Sequence, residues 1–60
     1  MYTIHTGYED STGFFVKVEH ADSISSALSA AAIYLEDPSC FTVKIWKTND
    51  GKFIVDYWRE

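Results

Sequence analysis

Two glycine-closed bends, each set between segments that alternate apolar and polar residues, constrain this chain more than any other feature. The first joins residues 2–10 to 14–20 through Ser11-Thr12-Gly13. The second joins residues 41–48 to 52–58 through Asn49-Asp50-Gly51. The flanks are rich in β-branched and aromatic residues, which suit a pleated, half-buried surface. Each unit therefore predicts an antiparallel hairpin.

Parity selects the register. A two-residue turn at Asp50-Gly51 would set Ile45 opposite Asp56 and Trp46 opposite Val55, mixing charge with apolar bulk on both faces. A three-residue loop sets Ile45 opposite Val55, Val43 opposite Tyr57, Lys44 opposite Asp56 and Trp46 opposite Ile54. A sheet with one buried face enforces such sorting. Gly51 then takes the left-handed position of a type I turn with a bulge. The same rule in the first hairpin pairs Tyr8 with Val16, Thr6 with Val18, Glu9 with Phe15 and His5 with Glu19. Gly7 marks a candidate bulge there.

Between the hairpins, Ile24, Ala27, Leu28, Ala31 and Leu35 recur at helical spacing, with Asp22 as the expected N-cap and Pro38 ending the helix. The expected fold class is α+β: ββαββ in one domain, 1–60, with two hairpins forming a four-stranded sheet and one helix packed on one face. Phe14, Val16, Val18, Phe41 and Phe53 are expected to face that helix with Ile4, Val43, Ile45, Val55 and Tyr57. Two strand orders satisfy this. Order 1-2-3-4 makes the second and third strands parallel through a right-handed crossover. Order 2-1-4-3 resembles the β-grasp of immunoglobulin-binding domains, a likeness of element order that implies no function. The first strand is poorest in apolar residues and contains Gly7, which suits an edge and favours 1-2-3-4.

Size and composition narrow the function classes. A chain of 60 residues buries only about 60% of the surface its unfolded form exposes. Domains this small often add a disulfide, a metal or a partner. Cys40 is the single cysteine, so an internal disulfide and a cysteine-based zinc site are excluded. Self-association gains weight accordingly. The aromatic share of 17% opposes disorder. No apolar run reaches the ~20 residues that span a bilayer, so no membrane association is expected. The first residues lack the basic-then-apolar pattern of a secretory signal, and a reducing, cytoplasmic location is expected.

Catalysis has no residue constellation behind it: no Ser-His-Asp arrangement, no glycine-rich phosphate loop, no HExxH. The protein is expected to be no enzyme and to use no cofactor. His5 and His20 fall on opposite faces in the expected pairing, and with Cys40 they would approach from opposite ends, which disfavours a metal site.

The sheet face away from the helix is more informative. Phe15, Trp46, Ile54 and Trp58 are expected there, where an open antiparallel face should be mostly polar. They read either as rings that cover one another or as a protein-binding or dimerisation patch. The solvent side of the helix, with Ser26, Ala30 and Ile33, offers a second contact area of small residues and one apolar anchor. Glu9, Asp10, Glu36, Asp37 and Glu60 gather at one pole, relieved by Arg59. With a net charge of -4, that pole would steer association with a basic partner.

The resulting expectation is a small acidic, non-catalytic module that binds another protein or a second copy of itself. The alternative is a nucleic-acid-related role, in one of two forms. One is a single-strand-binding aromatic platform using Lys17 and Lys44. The other is an acidic inhibitor of the kind phages and mobile elements carry, mimicking nucleic-acid charge. Direct nucleic-acid binding is disfavoured by the negative net charge.

Overall fold

The computed structural model describes residues 1–59. Its elements are β1 (Tyr2–Asp10), β2 (Gly13–Ala21), α1 (Ile24–Tyr34), β3 (Cys40–Lys47) and β4 (Phe53–Trp58). The fold is α+β, with four antiparallel strands in one sheet and one helix packed on it. The strand order is β2-β1-β3-β4, which replaces both expected orders: β1 is central, and pairs antiparallel with both β2 and β3.

The residues that suggested an edge are the ones that make β1 a centre. Thr3, Ile4, Thr6, Gly7 and Tyr8 are all buried. The Thr3 hydroxyl is satisfied by Thr48 at 2.7 Å. Gly7 lies where β3 gains an extra residue, Phe41, and the register shifts. A Cβ at Gly7 would collide with the Thr42 side chain. The glycine thus reflects the close approach of β3, and it does not mark an edge.

The first hairpin departs from the expected register by one residue. Its turn holds two residues, Ser11 and Thr12, and Tyr8 faces Phe15 rather than Val16. The Asp10 carboxylate accepts from the Thr12 backbone N–H at 2.8 Å and from its hydroxyl at 2.5 Å. Gly13 leaves the turn at φ 136. Aspartate at the first position and glycine at the fourth are preferences of a type I turn. Because side chains alternate, one residue of slip reverses the whole strand. Phe15, Lys17 and Glu19 therefore lie on the helix side, and Phe14, Val16, Val18 and His20 on the open face.

The second hairpin keeps the expected pairing over most of its length: Ile45 with Val55, Lys44 with Asp56, Val43 with Tyr57 and Thr42 with Trp58. Its loop nevertheless has four residues, Thr48 to Gly51, closed by Lys47 N–H to Lys52 O at 3.1 Å and Gly51 N–H to Lys47 O at 2.8 Å. Gly51 is left-handed, at φ 69. Ile54 is then an extra residue in β4, and Trp46 faces Phe53 instead of Ile54. An even loop followed by a one-residue bulge restores the parity that an odd loop would have set.

The buried core comprises Ile4, Tyr8, Ala27, Ala31, Cys40, Val43 and Ile45. Alanines at 27 and 31 let the helix settle close to β1. Ser23, not Asp22, caps it by accepting from the Ser26 N–H at 3.1 Å. Its 11 residues form a single rod about 10 Å across, wide enough to cover about two of the four strands at their ~4.8 Å spacing. Phe14, Val16 and Val18, expected in the core, are exposed through the slip of β2, and Phe53 through the bulge at Ile54; Leu28 on the helix is exposed as well. The helix is joined to the edge strand by the Tyr34 hydroxyl, which donates to the Glu19 carboxylate. That bond holds the Tyr34 proton tightly, and its pKa is pushed up to about 12.

Candidate protein-docking face

The open face is built by the odd-numbered residues of β1 with the residues that oppose them. Gly7 is its floor. On one side its antiparallel partner is Val16, on the other Thr42. Because Gly7 has no side chain, the surrounding rings stand above a depression of about 260 Å³. Phe14, Val16, Phe41 and Trp58 wall it, with His5 and Lys44 at its polar end.

The walls form a row of rings across the whole sheet. Phe14 of β2 lies 5.5 Å, centre to centre, from Phe41 of β3, and Phe41 lies 5.5 Å from Trp58 of β4, edge to face at 89°. Such pairs hold their rings in place. The two ends of the row remain open to solvent, Phe14 at 60% and Trp58 at 64% exposure. Trp46 is half-buried behind them. It meets His5 edge to face at 4.5 Å and Phe53 at 5.7 Å.

The sequence-predicted residues divide. Trp46 and Trp58 lie on the open face. Phe15 does not: it stacks on Tyr8 on the helix side, 5.0 Å between centres. Ile54 is displaced to the β4 bulge. Phe14, Val16, Val18, Phe41 and Phe53 were assigned to the core and instead belong to the exposed surface or its walls. The type I signature at Asp10 and Gly13 was the signal that could have placed the three β2 residues correctly.

On the helix, Ile33 is 64% exposed. Ala30, expected in solvent, packs against the core. Ser26 is occupied by the helix cap, where the Ser23 hydroxyl also donates to its oxygen at 3.1 Å.

The acidic residues do share one end. The Glu9 N–H donates to Ser39 O at 2.9 Å, which brings the end of β1 to the turn after α1. Asp10 and Asp37 each brace a turn. The Asp37 carboxylate accepts from the Ser39 N–H at 2.9 Å and its hydroxyl at 2.8 Å. These bonds hold both carboxyls below their usual range. Arg59 points its guanidinium at the Leu35 carbonyl, 2.8 Å away, and so occupies the helix C-terminus. Glu60 lies outside the described residues.

His5 and His20 share the open face, a correction that follows from the β2 slip. Among the described residues no three His, Cys, Asp or Glu side chains converge as metal ligands. Cys40 is buried and free. No described helix is long and apolar enough to cross a membrane. No protein-family model, curated protein or solved structure matches this chain.

Proposed function

We propose that this protein is a non-catalytic protein-binding module whose docking surface is the open sheet face. The observation that carries the reading is the groove over Gly7. It is apolar, held in shape by paired rings, and open at Phe14 and Trp58. Interfaces concentrate their binding energy in such aromatic positions. An apolar side chain of the partner fills the depression, and a backbone or side-chain acceptor meets Lys44 and His5 at its polar end. Glu9 neighbours Phe14 across the ladder, so the acidic end lies beside the groove and favours a partner with basic residues around its apolar anchor.

A single-strand platform draws less support. Of its two lysines, Lys17 lies on the helix side beside Tyr8, and Lys44 stands opposite Asp56.

The test compares capture by wild-type protein with capture by a Phe14→Ala, Trp58→Ala double variant that keeps its fold by circular dichroism. A protein retained only by wild type is then purified and titrated at rising salt. Loss of affinity in the variant, with weakening by salt, supports the reading. Equal affinity of the two overturns it. Titration with single-stranded oligonucleotides at low salt, giving tight binding, would overturn it in favour of nucleic acid.

A further inference from the structure

The two edges of the sheet differ. β4 has six residues and a bulge at Ile54. β2 has nine, pairs with β1 without any register shift, contains no proline, and is exposed from Gly13 to His20. Natural edges are usually shortened, bulged or covered, because an open row of N–H and C=O groups templates another strand. The two-residue turn makes Asp10 and Gly13 a hydrogen-bonded pair, so hydrogen-bonded pairs recur at every second residue. Phe14, Val16, Val18 and His20 therefore turn their backbone groups away from β1.

We infer that β2 pairs antiparallel with β2 of a second copy, about a two-fold axis through Val18, to form one eight-stranded sheet. An axis perpendicular to the sheet keeps each face on its own side, so opposed residues must have equal parity. Three central registers meet that condition. Centring on Lys17 opposes Lys17 to itself. Centring on Val16 sets Phe15 against Lys17. Centring on Val18 sets Lys17 against Glu19 of the second copy on both sides of the axis, and Val16 against His20. Only this register pairs opposite charges. The Tyr34 hydroxyl uses one oxygen of Glu19, which leaves the other for the lysine. With strands about 4.8 Å apart, the two β1 strands lie about 14 Å from each other. Helices centred over them clear the 8–10 Å of direct helix contact. The inference does not depend on the groove over Gly7.

Sedimentation velocity over a concentration series tests it. Wild type forms a dimer. Lys17→Glu alone and Glu19→Lys alone each weaken dimerisation roughly tenfold, since each turns two cross-strand attractions into repulsions. The double exchange restores it, an outcome that loss of the Tyr34 contact or general misfolding would not produce. Oxidised Val18→Cys protein yields a covalent dimer on a non-reducing gel, and Val16→Cys does not. A wild type monomeric at millimolar concentration overturns the inference, as does a dimer indifferent to both charge exchanges. A dimer that survives Phe14→Ala, Trp58→Ala while partner capture is lost separates this edge from the groove.

Discussion

A Cβ on Gly7 would stand 2.5 Å from Cγ2 of Thr42, closer than real Cβ contacts come. Thr42 is β-branched and sits in a paired strand, so it has little freedom to move aside. Gly7→Ala is expected to destabilise the protein by about 1–3 kcal/mol, the range of overpacked sites. Adding Thr42→Ser, which removes the colliding methyl, should recover part of that loss in urea melts.

The Tyr34 hydroxyl carries a pH signature. Its folded pKa, about 12, lies above the ordinary 10.0. The bond to Glu19 therefore contributes its full stability below pH 10 and loses it as pH rises toward 12. Thermal melts should show wild type falling toward Tyr34→Phe across that interval, with no such convergence between pH 6 and 9.

At the acidic end the sign is reversed. Hydrogen bonds from Thr12 and Ser39 depress the Asp10 and Asp37 carboxyls. Their contribution is present above the ordinary carboxylate range and is lost as pH falls below that range through the lowered folded values. Asp10→Ala and Asp37→Ala should each melt below wild type at pH 7, and the gap should narrow as the medium is made more acidic than the ordinary carboxylate range.

Cys40 is fully buried, at 0% exposure. Its thiol should resist labelling in the native protein and react only as fast as the sheet opens. Cys40→Ser, which places a hydroxyl where a weakly polar sulfur packs, should cost about 1–3 kcal/mol. Labelling kinetics under rising urea check both points.

The two tryptophans should behave differently in the same experiment. Trp58→Ala is expected to change stability by no more than about 1 kcal/mol, because most of the ring already meets water. Trp46→Ala should cost about 2–3 kcal/mol, since it vacates a half-buried site against His5 and Phe53. Equal losses would mean that the exposed ring supports the sheet after all.

Element order and element type were legible in the sequence, because alternation and helical spacing are local signals; the helix stops at Tyr34, short of the expected end at Pro38. The β3–β4 pairing was also legible, although for an incomplete reason: face segregation fixed Ile45 against Val55, while the loop achieved it with an extra residue and a compensating bulge at Ile54. Strand order was not legible. β1 carries few apolar residues, yet its place is set by pairing with β2 on one side and β3 on the other, a relationship that only long-range contacts create. The site was half legible. Trp46 and Trp58 followed from a register the sequence could sort. Phe14 and Phe15 are adjacent, and one residue of turn length decided which of them faced solvent.

Placing β1 at the centre makes the order of assembly a matter of waiting. During synthesis β1 and β2 can zip at once, because a turn of two residues separates them and closing so short a loop costs little entropy. The other side of β1 must stay unoccupied until β3, which ends at Lys47, has left the ribosome. In that interval the nascent hairpin exposes both of its flanks. A variant that slows the helix from carrying the chain back should therefore accumulate as aggregate during expression even if its finished form is stable.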